Sequence, residues 1–336
     1  MSKETFSKRK SKTLKRKYIR RRIGVVLLAI VALVFLGTRI ALNGKVEVAK
    51  GNTGNESENK ELVMEEATVE LPQYKSTDII PGRNVTFDGK NYAVNVKDVS
   101  KMVDGSYEGN EKYVFLTFDD GPSPLTEQVL DILKSENVKG TFFMLGSRLD
   151  SGQAPKDSLK RAIEEWNAIA NHSYSHNFKK LYPGNITDVN YFMDEFKRTN
   201  DIMKDVLGVE FDTNVLRMPG GYNSRVYYKD RNLEELNNNL ESNRIVSIDW
   251  NALNGDAEGK PYTLNEMIDY VKRTSKGKNQ VVLLMHDTFG KEKTVKILPE
   301  IIKYYKEEGY EFKTISIHLI IKIGRASCRE RVCQYV

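Results

Sequence analysis

Between Glu111 and Ile321 the chain alternates two kinds of hydrophobic pattern. Short apolar runs (YVFLTF, GTFFML, AIANHS, VLRMP, RIVSIDW, VVLLMHD and FKTISI) have the length and the β-branched and aromatic content of buried strands. Between them lie stretches with apolar residues three and four apart, LTEQVLDILKSE, DVNYFMDEFKRTNDIMKDVLG and TVKILPEIIKYYKEEG, which read as helices. In the first of these Leu125, Val129, Ile132 and Leu133 share one face, and Ser123 followed by Pro124 supplies an N-cap and first turn. Such alternation without an internal repeat predicts an α/β domain built on a parallel sheet or barrel.

Ahead of this domain, residues 77–110 hold short alternating segments broken by Pro81-Gly82, Asp88-Gly89 and Asp104-Gly105, which read as a small hairpin or β lead-in. Residues 43–76 are polar, charged and nearly free of aromatics, the composition of a flexible linker. The run IGVVLLAIVALVFLG, continued by IAL beyond Arg39, makes residues 23–42 a transmembrane signal anchor, just long enough to span a bilayer if Arg39 snorkels. Residues 1–22 carry eleven bases and one acid, which places that tail in the cytoplasm and everything after Asn43 outside the cell. No small-residue cleavage pattern marks the anchor for removal.

This division changes the meaning of the charge. The whole chain holds 52 bases and 46 acids, a net of +6, but residues 44–321 hold 36 bases against 44 acids, so the exported part is acidic. The basic excess is an orientation signal and argues against nucleic acid as a partner. Both cysteines, Cys328 and Cys333, lie in KIGRASCRERVCQYV, which lacks periodicity and resembles a translated sequencing-library adapter. Residues 322–336 are therefore set apart as a read-through artefact, and the remaining chain, free of cysteine, relies on its core.

Candidate chemistry gathers at the strand ends. TFDDGP closes an apolar strand with two adjacent carboxylates, Asp119 and Asp120. One aspartate is enough for an Asp-Gly-Pro turn, whereas two like charges call for a metal ion or an arginine close by. His172 and His176 in HSYSH stand four apart, a spacing that on a helical turn points both rings the same way. Alone they are equally well structural histidines; with Asp120 they make a three-ligand set with an open position for water. Asp119 is then free to take a proton from that water, and Arg217 of RMPGG can meet its charge. His286, at the end of VVLLMHD, suits a general acid, with Asp249 of SIDW as the natural partner to set its tautomer. Trp250 is either packing or a sugar-stacking wall, and His318 has no such setting.

Taken in order, TFDDGP, HSYSH, RMPGG, DW and LLMH resemble the five motifs of the polysaccharide deacetylases, carbohydrate esterase family 4, over about Glu111 to Ile321. The resemblance implies a distorted (β/α)7 barrel with its site at the C-terminal ends of the strands. It further implies that Asp119 is the general base, that Asp120, His172 and His176 bind zinc, Co2+ or a similar divalent ion, and that Arg217 holds Asp119. The backbone N–H of Gly220 would stabilise the oxyanion, Asp249 would tune His286 as general acid, and Leu284 would line the pocket for the acetate methyl. One departure is Trp166, standing where many relatives have glycine ahead of the metal-histidine strand.

The implied activity is metal-dependent hydrolysis of N-acetyl groups from the N-acetylglucosamine residues of a cell-wall polymer, peptidoglycan first, with no obligate protein partner. Chitin oligomers, poly-N-acetylglucosamine and acetylated xylan stand as alternatives, because substrate choice lies in loops that the motifs do not specify. Two readings from other classes also stand: a non-catalytic wall-glycan-binding module on the same fold, and a scaffolding membrane protein whose histidines are incidental.

Overall fold

A computed structural model describes residues 73–317. The segment read as a β lead-in departs from that reading: after strand β1 (Ala93–Asn95) the chain turns into a nine-residue helix, α1 (Val96–Asp104). Val96, Val99 and Met102, three apart, bury one face of it, the Asn95 side chain caps its first turn, and Gly105 ends it in a left-handed conformation. An antiparallel bridge between Ile79 and Thr86 is what remains of the expected hairpin.

The body follows the alternation read from the sequence. It runs β2 (Tyr113–Asp119), α2 (Pro124–Ser135), β3 (Gly140–Met144), α3 (Gly146–Leu149), α4 (Gln153–Glu164), β4 (Ala168–Asn171), α5 (Phe178–Leu181) and α6 (Val189–Leu207). It continues with β5 (Val215–Leu216), α7 (Tyr222–Tyr227), α8 (Leu233–Ser242), β6 (Val246–Ser247), β7 (Ala252–Leu253), α9 (Leu264–Ser275), β8 (Gln280–His286) and α10 (Glu292–Glu307). Two short strands, β9 (Glu311–Phe312) and β10 (Thr314–Ser316), close the described chain. Ser123 caps α2 as expected, its hydroxyl accepting from the Leu125 N–H at 3.0 Å.

Seven parallel strands in the order β6-β5-β4-β3-β2-β8-β7 make one curled sheet, the distorted (β/α)7 barrel left open between its two edge strands. The last run, FKTISI, does not extend that order: β9 pairs with the start of β2, and β10 pairs with β1 instead. The strand β10 is held against the inner face by Asn84 Nδ2 donating to the Ile315 carbonyl (3.0 Å) and the Ile315 N–H donating to Thr141 Oγ1 (3.0 Å).

Both faces of the sheet are buried, which is why its strands read as continuous apolar runs. Val114, Leu116 and Phe118 join Val129 and Ile301 in the core shared with the outer helices, while Phe115 joins Phe143, Val282, Val99 and Ile315 inside the barrel. Strand parity then leaves Thr117 and Asp119 on the inner face. Register sets Asp119 beside His286 on one side and Phe143 on the other, and aligns Asn171 with Leu216. Asp119, His172, Arg217 and His286 therefore emerge at one level, the C-terminal rim.

Trp166 sits just past α4 with a φ of 70°, a left-handed backbone that favours glycine. Its ring stacks on Tyr92 (centroids 6.3 Å apart, 22° between planes) under the Lys139 ammonium at 5.1 Å, so the turn is kept despite the departure. The expected tail 1–22, anchor 23–42, linker up to residue 72, His318 and segment 322–336 lie outside the described residues. Among the described residues, no helix is long and apolar enough to cross a membrane.

Candidate active site

Asp119 and Asp120 share a turn yet are built for different tasks. Asp119, 2% exposed, gives Oδ1 to Arg217 Nη1 at 2.9 Å. Arg217 is wholly buried and places its other donors on Thr117 Oγ1 (2.7 Å) and the carbonyls of Ile248 (3.1 Å) and Asp249 (3.2 Å), with its guanidinium carbon 4.0 Å from the Phe143 ring centroid. A buried cation so fully engaged can neither leave nor rotate, which fixes Asp119 in turn. Asp120 has a φ of 72°, so the turn chemistry and the ligand chemistry read from DDGP are both present in one residue.

Asp120, His172 and His176 each bring one ligand atom to a common point, all within 4.8 Å of one another. Asp120 Oδ1 lies 3.4 Å from His172 Nε2 and 3.5 Å from His176 Nε2. It is buried and has no hydrogen-bond partner, as expected of an oxygen kept for a cation. His172 follows β4 directly, and its Nδ1 lies 2.7 Å from the Arg217 carbonyl. A carbonyl only accepts, so Nδ1 carries the proton and Nε2 offers its lone pair to the site. These residues fit a divalent metal ion.

The two histidines do not share a helical turn, as their spacing suggested. Residues 172–177 form a loop in which Ser173 (φ 70°) and His176 (φ 53°) are left-handed, and this folds the second ring back beside the first, 5.1 Å between centroids. Glu195 of α6 anchors the loop through the Ser175 N–H (3.0 Å) and hydroxyl, and Asn171 accepts from the Ser173 N–H at 2.8 Å. Nothing in the residue pattern around Glu195 points to this role.

Burial pushes the Asp120 carboxyl up, but the neighbouring His172 and the imidazoles of His176 and His286 outweigh that and hold it below the usual carboxylate range. Burial and the neighbouring His172 lower His176, leaving it neutral and able to ligate. His172 moves the opposite way: burial lowers it, and Asp119 and Asp120 more than offset that. Protons therefore compete with a cation for its Nε2 as the pH falls.

On the other side of Asp119 stands His286, and here the expected partner is corrected. Nδ1 of His286 meets Asp256 Oδ1 at 2.8 Å, and its backbone N–H donates to Asp256 Oδ2 at 2.9 Å. Asp249 instead spends both carboxylate oxygens on the N–H groups of Tyr222 and Asn223, each at 2.8 Å, at the start of α7. The reason is strand order: Asp249 follows β6, at one edge of the sheet, whereas Asp256 follows β7, the hydrogen-bonded neighbour of β8. Burial lowers His286, but the hydrogen bond and charge of Asp256 overcome it and lift the ring to about 9.

The remaining expected residues lie around this pair. Leu284, 5% exposed, is on the same strand face as His286 and in register with Thr117. Gly220 is exposed, with a φ of 76°, and a Cβ there would come within 2.9 Å of the Phe178 ring. Trp250 packs against Gly221 and stands 5.6 Å from the Arg217 guanidinium.

Asp287, next to His286, is wholly buried behind the Asp119–Gly121 turn, where a Cβ on Gly121 would meet its Oδ2 at 2.4 Å. Thr126 donates to Oδ2 at 2.5 Å, but Oδ1 has no partner, and burial lifts the carboxyl to about 7. A folded-state value above the unfolded one means stability fully present below about pH 4 and lost as the pH rises through about 7. Asp287→Asn should therefore gain up to about 4 kcal/mol at pH 8 relative to pH 4, with chelator present. Denaturant midpoints of variant and parent at both pH values check this; parallel pH dependence would contradict it.

Comparison with known proteins places this geometry. Residues 106–238 match the family model described as polysaccharide deacetylase. YheN of Bacillus subtilis strain 168, named only provisionally as a polysaccharide deacetylase, is 34% identical over 203 residues, 60% of this chain and 66% of its own. A peptidoglycan-N-acetylglucosamine deacetylase of Bacillus cereus is 31% identical over 231 residues, 64% of this chain and 74% of its own. Other relatives are named as a bifunctional xylanase/deacetylase, of which this chain spans 31%, and as a peptidoglycan-N-acetylmuramic acid deacetylase. The solved structure of a Streptococcus mutans CE4 esterase superposes with a TM-score of 0.66 at 35% identity, over 72% of this chain and 100% of that one. The parallel half-barrel, the rim of Asp, His and Arg side chains, and these likenesses agree: the chain belongs to the polysaccharide deacetylase family.

Proposed function

We propose that the chain hydrolyses N-acetyl groups from N-acetylglucosamine residues of peptidoglycan, leaving a free amine and releasing acetate. The observation that carries this is the division of labour around one point: an unpartnered Asp120 oxygen facing two imidazole nitrogens, with Asp119 on Arg217 at one side and His286 on Asp256 across the β2–β8 register. A divalent cation on Asp120, His172 and His176, zinc as first choice, supplies Lewis-acid polarisation of the acetyl carbonyl and acidifies water when bound.

The protein's own groups do the rest. Asp119, aimed by Arg217, takes the proton of the attacking water as the water oxygen bonds to the acetyl carbon. The Gly220 N–H supports the carbonyl oxygen as it gains charge, and Leu284 packs on the methyl. His286 donates its Nε2 proton to the sugar nitrogen as the C–N bond breaks, so the free amine and acetic acid separate; the acid then gives up its proton to leave acetate, and Asp119 releases the proton it took from water. An amide nitrogen departs only when protonated, and a histidine lifted to about 9 still carries its proton at neutral pH. This supports the N-acetyl over the O-acetyl reading.

Peptidoglycan as substrate rests on the name of the B. cereus relative and on the basic tail and apolar run of residues 1–42, which we take as a membrane anchor holding the domain outside the cell. Muropeptides from treated peptidoglycan, read by mass spectrometry, test it: the expected product is N-deacetylated glucosamine with muramic acid still acetylated. Loss of acetyl from muramic acid alone, or from xylan alone, would overturn the substrate assignment. Binding to the glycan without any acetate release would favour the non-catalytic module.

The dyad makes its own prediction. Asp256→Asn removes the charge that raises His286, so the alkaline limb of the kcat/KM profile should move from near pH 9 toward neutrality, with activity at pH 9 falling further than at pH 6.5. A pH–rate series on both proteins checks it, and an unmoved limb would remove Asp256 from the role.

A further inference from the structure

Of the exposed large apolar side chains, Phe178, Tyr227 and Tyr228 (44%, 80% and 47% exposed) belong to one connected row of rings that begins at the metal-site loop. His176 meets the edge of Phe178 (5.2 Å between centroids), and Phe178 meets Tyr182 (5.7 Å). The Arg225 guanidinium lies on Tyr182 (3.9 Å) and reaches Tyr228 (5.2 Å), which packs edge-on against Tyr227 (5.2 Å). Tyr182 and Arg225 are 3% and 2% exposed and form the floor, while the other three rings stand in water above it.

Aromatic rings left 44% to 80% exposed and grouped over one buried floor mark a surface that something covers. The floor adds a second sign: Tyr182 Oη and Arg225 Nη1 are buried without hydrogen-bond partners, polar atoms that a ligand hydroxyl or a bridging water can satisfy. Sugar rings match this surface, because each pyranose pairs an apolar face, suited to stacking, with rim hydroxyls suited to such donors and acceptors.

We propose that this row is an extended glycan-binding ledge, which holds the sugars flanking the reacting residue by stacking on Phe178, Tyr228 and Tyr227. The inference rests on the deacetylase reading and names where the polymer runs: from the metal-site loop, over α5, to the end of α7. It makes the protein an enzyme of polymers, with length preference set by residues that take no part in the chemistry.

The test compares chitohexaose with N,N′-diacetylchitobiose as substrates for the full chain, alongside Tyr227→Ala/Tyr228→Ala and Tyr227→Phe/Tyr228→Phe. The ratio of KM on the hexamer to KM on the dimer should rise about tenfold in the alanine variant, with kcat on the hexamer kept, and return to the parental ratio in the phenylalanine variant. An unchanged ratio in the alanine variant, or equal loss in both variants, would overturn stacking as the cause. A parent protein inactive on both oligomers and on peptidoglycan would instead sink the deacetylase reading, so the two failures are told apart.

Discussion

Replacing Asp119 by Asn lowers acetate release by roughly 10²- to 10⁴-fold at saturating substrate, with metal content unchanged. The size follows from what is lost: asparagine keeps the shape and an oxygen for the Arg217 Nη1 bond now made at 2.9 Å, but cannot accept a proton from water. The contrast with Asp119→Ala separates chemistry from folding. Alanine strands a wholly buried guanidinium without its carboxylate, which costs about 3–5 kcal/mol of stability, whereas asparagine still accepts its hydrogen bond. Turnover of both variants with their denaturant midpoints checks the pair. An active Asp119→Asn enzyme would assign the base to another residue.

His172→Ala abolishes both metal retention and turnover, and added zinc does not restore them. His172 is the ligand held most firmly: 2% exposed, oriented through the Arg217 carbonyl, and within 3.4 Å of Asp120. Its loss leaves two ligands, one of them His176 on a loop with two left-handed residues, and leaves Asp119 and Asp120 facing each other with less to offset their repulsion. Elemental analysis after dialysis, paired with acetate release, reads both effects. Retention of one metal per chain with measurable turnover would place the ion elsewhere.

Much of this site is legible in the residue pattern. Strand-end histidines and aspartates stand out because apolar runs set their level, and the β2–β8 register does bring Asp119 and His286 together. The rest was hidden, for different physical reasons. Asp256 follows a two-residue strand too short to show a period, so the Asp-Trp pair at Asp249 is the more conspicuous candidate for the histidine's partner. The His172–His176 loop depends on positive φ at Ser173 and His176, which residue type does not announce outside glycine and asparagine. Helix α1 was masked by valines at Val94, Val96 and Val99, whose first step mimics strand alternation until Asn95 caps the turn. Glu195 and the ring row from His176 to Tyr227 are tertiary, made by elements far apart in the chain.

Hydrolysis at a single metal ion held by Asp120, His172 and His176 is decided by a zinc titration of the chelator-stripped full chain, following bound metal and acetate release from peptidoglycan in the same samples. Turnover should rise from background and break at one ion per chain, with Asp119→Asn binding the same ion and staying near background. Full turnover without metal, or a break at two ions per chain, would rule out a single-metal site.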